Sequence, residues 1–148
     1  MSRNILKDVF IDLIVITMPI TVGFVLFKDV ILRKLGIKQV LIVYFNDQDY
    51  EAAYTLKKFF GIRADMVKLP PAATTLPPEA DEYKYIILLG GQAINPFYKK
   101  YMEAGYLPEI KYPGQYVIKQ IGNLIFIAGY EKEETFKAVQ EFIKALSK

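Results

Sequence analysis

Residues 9–27, VFIDLIVITMPITVGFVLF, carry one formal charge, Asp12, in nineteen positions. As a helix rising 1.5 Å per residue this run is roughly 28 Å long, close to the roughly 30 Å hydrocarbon thickness of a bilayer. Buried helices of water-soluble domains are usually shorter and keep a polar stripe, so the run predicts a transmembrane helix. It is longer than a signal-peptide core, and Lys28-Asp29 comes after it rather than a small-x-small cleavage site, which predicts an uncleaved anchor. Ser2 can cap its first turn, and the helix is expected to continue through DVILRKL and stop at Gly36. Pro19 falls mid-span, where it removes a backbone hydrogen bond and favours a kink. Asp12 sits about one turn inside the membrane edge, either reaching back to the interface or touching a partner helix. Basic residues flank both sides, Arg3 and Lys7 against Lys28, Arg33, Lys34 and Lys38, and their count puts the C-terminal domain in the cytoplasm.

About 110 residues lie beyond the anchor, enough for one compact domain with one core. The 19 basic and 16 acidic residues are interspersed and leave a net charge of +3, which is not the clustered basic face of a nucleic-acid binder. Cys, His and Trp are all absent. Ser-His-Asp and Cys-His nucleophiles are thereby excluded, as is any zinc site built on imidazole or thiolate. Carboxylates, Lys, Tyr and Ser remain, but the commonest general base near neutral pH is missing. The lack of Cys, the abundance of Lys and Glu and a proline-rich loop are traits of proteins from hot habitats.

From residue 37 onward the pattern alternates between strand and helix. Residues 37–45 (IKQVLIVYF) are β-branched and almost continuously apolar, as in a strand buried on both faces. Asn46 or Asp47 caps a helix over residues 48–60, with Ala52, Ala53, Leu56, Phe59 and Phe60 at helical spacing and Gly61 at its end. Residues 62–69 form a second strand, completing a βαβ unit that should cross over right-handed into a parallel sheet. PPAATTLPPEAD, residues 70–81, has four prolines and reads as an extended, exposed connection. A third buried strand over 83–89 runs into Gly90-Gly91, after which Asn95 caps and Pro96 opens a helix over 96–104. Residues 116–121 and 124–128 make a hairpin about Gly122-Asn123, and an amphipathic helix over 132–146 closes the chain's pattern. The expected architecture is an anchor over residues 1–36 and a soluble α/β domain over 37–148. That domain is a three-layer sandwich with a mostly parallel sheet and a C-terminal antiparallel hairpin at its edge.

In such a fold, ligands sit at the carboxyl ends of strands and at helix N-termini. The candidate ligand residues are therefore Asp47, Gly90, Gly91, Gln92 and Asn95, with Asp47 and Gln92 expected to face each other. The plainer reading is that the glycines only permit a sharp strand-to-helix turn, since neither GxGxxG nor GxxxxGK[ST] is present. Asn46-Asp47-Gln48-Asp49 resembles the start of a calcium loop but lacks its glycine and distal glutamate, and a helix cap explains it. No metal, no cofactor and no catalytic residue is assigned, because nothing supplies a nucleophile or an oxyanion hole. Tyr98, Tyr101, Tyr106, Tyr112 and Tyr116 crowd one region, either as a protein contact surface or as core and rim.

Two segments carry a resemblance. IILLGGQAINPFYKKYMEAG and IGNLIFIAGYEKEETFKAVQEFI look like archaeal S-layer proteins and their smaller relatives. The family pattern is a strand ending in Gly-Gly, then Asn-Pro and a helix, and later an apolar strand ending in Ala-Gly, an acidic stretch, a Thr and an amphipathic helix. The matching positions here are Gly90, Gly91, Asn95, Pro96, Ala128, Gly129, Tyr130 and Thr135. The resemblance spans residues 37–148 and is strongest over 85–143. Family members are usually much longer, with additional β-rich domains, and their second glycine-rich surface is reduced here to YPGQY. The resemblance implies a non-catalytic, extracytoplasmic domain that mediates assembly. It adds a homo-oligomer or larger surface assembly to the lipid bilayer as expected partners, and its outward orientation opposes the basic-residue count. The alternatives are a small accessory subunit of a membrane complex with a cytoplasmic domain, Asp12 and Pro19 packing on partner helices, and a nucleotide- or anion-binding domain at Gly90-Gly91.

Overall fold

Val40–Tyr44 (β2) is apolar at every position and buried along its whole length, because both of its faces are covered. It is the centre of a sheet in the computed structural model, which describes residues 14–16 and 39–147. Ala64–Lys68 (β3) and Tyr85–Leu89 (β4) flank β2 in parallel, Leu124–Gly129 (β6) lies parallel to β4, and Tyr116–Ile121 (β5) is antiparallel to β6. These five strands form the mixed α/β sheet expected from the βαβ pattern and the hairpin. A sixth segment, Ile14–Ile16 (β1), pairs antiparallel with β5, giving the order β1-β5-β6-β4-β2-β3.

Among the described residues, three α-helices cover the sheet. Tyr50–Phe60 (α1) and Lys132–Leu146 (α3) pack on one face, burying Ala52, Ala53, Leu56 and Phe60 alongside Ala138, Val139, Phe142 and Leu146. Pro96–Glu103 (α2) packs on the other face through Phe97 and Tyr98. The capping logic read from the sequence is realised with small shifts. Asn46 caps not α1 itself but a 3-10 turn, Asp47–Asp49, that leads into it, accepting from the Asp49 amide at 3.2 Å. Asn95 caps α2, with Pro96 in the first turn.

The proline-rich connection differs from the extended, exposed loop expected. It turns at residues 70–73, forms a 3-10 helix over Pro78–Glu82, and packs Ala73, Leu76, Ala80 and Tyr83 against the α2 face of the sheet. The reason is geometric: α2 spans eight residues and leaves the sheet beyond it bare, so the apolar residues between the prolines serve as a third-layer covering. Tyr83 fixes the end of this segment by donating its hydroxyl to Asp65 Oδ2 at 2.5 Å.

The apolar run over residues 9–27 lies outside the described residues except for Ile14–Ile16, and so do Asp12, Pro19, Ser2, Lys28 and the stop at Gly36. Where a helix was expected across Ile14–Ile16, those three residues are extended. Three successive β-branched side chains suit a strand, and β5 without them would present an unpaired edge. Among the described residues, no helix is long and apolar enough to cross a membrane.

Candidate functional site

Of the four parallel strands, β3 lies on one side of β2 and β4 on the other, so the winding reverses between β2 and β4. Crevices form outside the carboxyl ends of strands at such a reversal. Here the segments leaving β2, β4 and β6 enclose a cleft of about 570 Å³. Its lining includes Gln48 and Asp49 after β2, Gly91 to Ile94 after β4, and Gly129 to Glu133 with Thr135 after β6.

The turn after β4 is built by packing. Gly90 has φ +106°, and a Cβ there would meet the Ile94 side chain at 2.8 Å. A Cβ on Gly91 would lie 2.8 Å from the Gly129 carbonyl oxygen. The two glycine motifs of the sequence thus touch, tying the end of β4 to the end of β6. Asn95 closes the turn from inside: its Oδ1 accepts from the Phe97 and Tyr98 amides, each at 3.0 Å, and its Nδ2 donates to the Leu89 and Gly90 carbonyls. Gln92 is equally occupied, donating to the Ile110 carbonyl at 2.8 Å and accepting from the Ile110 amide.

The start of α3 is closed in the same way. Glu131 and Glu134 form a capping box, and the second oxygen of Glu134 accepts from the Gly114 amide at 2.7 Å. Burial alone would raise the Glu134 carboxyl, but the amides of Gly114 and Glu131 outweigh it and hold the group below its ordinary value. The amides of Phe97 and Tyr98 in α2 and of Glu131 and Glu134 at the start of α3 therefore already serve side chains, which leaves an anion fewer donors to bind.

Asp47 and Gln92 do not meet. Asp47 is exposed and pairs with Lys68 at 2.7 Å, which raises the Lys68 pKa through that hydrogen bond. This pair is solvated, and Asp47→Asn is expected to leave the thermal midpoint unchanged within error in a differential scanning experiment. Of Asp47 and Asp49, the one that lines the cleft is Asp49, 1% exposed. Its Oδ2 has no hydrogen-bond partner, and it makes no cap hydrogen bond to α1. Burial pushes its pKa up from 3.8 to about 6. The sequence held a signal for this choice: Asp49 is in helical phase with Ala52, Ala53, Leu56 and Phe60, and Asp47 is not.

The raised Asp49 value makes stability depend on pH. Between about pH 4 and 6 the folded chain holds a proton that the unfolded chain has lost, so stability falls as pH rises through that window. Above it, ionised Asp49 weakens the fold by up to about 3 kcal/mol. Asp49→Asn is therefore expected to be more stable than the parent at pH 7.5 and equal to it near pH 3.5, as read by urea titration at both pH values.

The tyrosines divide. Tyr98 and Tyr116 are buried, Tyr98 donating to the Pro108 carbonyl at 2.6 Å, and Tyr101 packs its ring against Phe126. Tyr106 and Tyr112 are exposed, as is Tyr130 at the cleft. Burial raises the Tyr98 hydroxyl well above its ordinary range.

These features define a mixed, doubly wound α/β domain with an acidic cleft at its switch point. Compared with known families and with curated proteins, the chain matches none.

Proposed function

We propose that this chain is a non-catalytic, membrane-anchored assembly domain of the S-layer-like kind, exposed on the cell surface and working as one copy of an oligomer. The observation that carries this reading is how the motif residues are used. Gly90, Gly91, Asn95 and Gly129 hold β4, α2, β6 and α3 together, and the polar groups of Asn95 and Gln92 are satisfied internally. A motif used in this way is architecture. The exposed Tyr50, Tyr54, Tyr106, Tyr112 and Tyr130 supply aromatic surface of the kind that protein contacts favour.

In this reading residues 9–27 cross the bilayer, and in lipid Ile14–Ile16 leave the edge of β5. That edge, able to accept a strand, then becomes available to a neighbouring copy. The second reading, an accessory subunit with a cytoplasmic domain, is favoured by Lys28, Arg33, Lys34 and Lys38 on the C-terminal side of the run. Protease added to intact cells, with a lysed control, separates the two. Cleavage of residues 37–148 in intact cells supports the surface domain, and cleavage only after lysis rejects it in favour of the subunit. A protein that stays monomeric in mild detergent at all concentrations rejects the oligomeric surface assembly.

A further inference from the structure

Asp49 is a buried carboxylate at the N-cap position of α1 whose side chain makes no cap hydrogen bond and, among the described residues, no ion pair; it lines the cleft between the 3-10 turn Asp47–Asp49 and the start of α3. A carboxylate left this way at a strand switch point weakens its own fold, which is the mark of a group kept for a ligand. The chemistry around it narrows what that ligand is. Glu131 and Glu133 join Asp49 in the lining, against one ammonium, Lys132, so the cleft is net negative. The amide of Glu134 and the amide of Glu131 are taken by the α3 capping box, which removes donors an anion would need. No set of three acidic, histidine or cysteine groups among the described residues is close enough to hold a metal ion. Ile94, Ile110 and Tyr130 add apolar and aromatic surface to the same walls. At about 570 Å³ the cleft falls within the size range of small-molecule sites.

We infer that this cleft binds an organic cation, an ammonium or guanidinium group on a short apolar body, with Asp49 as its buried counter-ion and Glu131 and Glu133 beside it. A cation seated beside Asp49 would offset by its charge the cost of burying the carboxylate. The aromatic face of Tyr130 suits the same class of ligand. The cation comes either as a free amine or as the Lys or Arg side chain of a polypeptide, and both present the same head to Asp49. This inference goes beyond the assembly reading and does not depend on it.

The test uses the full-length chain in a neutral detergent at pH 7.5. The probes are n-butylammonium, n-butylguanidinium, uncharged n-butanol and an end-blocked tetrapeptide containing one lysine. Expected is a saturable rise in thermal midpoint with the cations, accompanied by shifts of the Gly91, Ile94 and Thr135 amide resonances, and little response to n-butanol. Asp49→Asn should weaken binding at least tenfold, whereas Asp47→Asn, whose carboxylate is outside the cleft, should bind as the parent does. A peptide that binds more tightly than the free cations assigns the site to a polypeptide side chain, and the reverse assigns it to a small molecule. The inference is overturned if no cation moves those resonances, if n-butanol acts equally, or if Asp49→Asn binds unchanged. The resonance shifts on the parent protein test the inference independently of that variant.

Discussion

Gly129→Ala is expected to destabilise the domain by about 3 kcal/mol or more, lowering the thermal midpoint by about 12 °C or more. A Cβ at this position would lie 2.3 Å from the Thr135 amide nitrogen, 2.4 Å from the Glu134 carbonyl carbon and 2.5 Å from the Glu134 Cβ. Two of these are backbone atoms in the first turn of α3, so no side-chain rotation relieves the clash. The helix would have to lift from the end of β6, and with it Thr135, Ala138, Val139, Phe142, Ala145 and Leu146, all buried. Movement in the other direction is blocked as well, because the Gly129 carbonyl already stands against Gly91. Urea titration followed by far-ultraviolet circular dichroism gives the number. An unchanged midpoint would mean that the first turn of α3 shifts freely and that the corner between β6 and α3 is not packed tightly.

Asn95→Ala should cost about 3–4 kcal/mol. Its side chain is fully buried and makes four hydrogen bonds, two accepted from the start of α2 and two donated to the end of β4. Loss of a cap is worth about 1 kcal/mol, and each buried backbone group left without a partner adds about 1–3 kcal/mol before any rearrangement. Asn95→Asp is the informative comparison. It keeps the Oδ1 acceptor for the amides of Phe97 and Tyr98 but turns the donor into an oxygen facing the carbonyls of Leu89 and Gly90. It should therefore fare no better than alanine at pH 7. If Asp restored most of the stability, capping alone would account for Asn95, and the tie to β4 would be incidental.

Much of this was legible in the residues. The continuous apolar runs marked β2 and β4 as strands covered on both faces, and Gly-Gly followed by Asn-Pro marked the corner where one strand passes into a helix. The hairpin about Gly122-Asn123 and the dipole-matched last helix were readable because their signals are local. What was not legible depends on contacts between distant segments. Asp47 drew notice because it comes directly after a strand, yet its side chain faces solvent and Lys68, while Asp49 turns inward on the stripe of α1. Helical phase, extended one turn back from Ala52, was the available clue. The proline-rich segment read as exposed because prolines forbid regular elements; Leu76 and Ala80 between them show that irregular backbone can still cover a sheet. Ile14–Ile16 illustrate a different limit, since three β-branched residues within an apolar run satisfy both a lipid span and a sheet edge. Periodicity does not separate those two environments.

The position of β6 has a consequence for how the protein is made. Residues 124–129 are the last of the described strands to emerge during synthesis, yet they sit between β4 and β5 in the sheet. Until they appear, the βαβ unit of β2, α1 and β3 can form with β4 beside it, but the far edge of β4, Ile86 to Leu89, has no neighbour. At roughly 5–20 residues per second, that edge stays open for a few seconds while residues 90–123 are added. The nascent chain thus carries a bare, apolar strand edge until β6 arrives, the feature by which unfinished sheets recruit chaperones or one another.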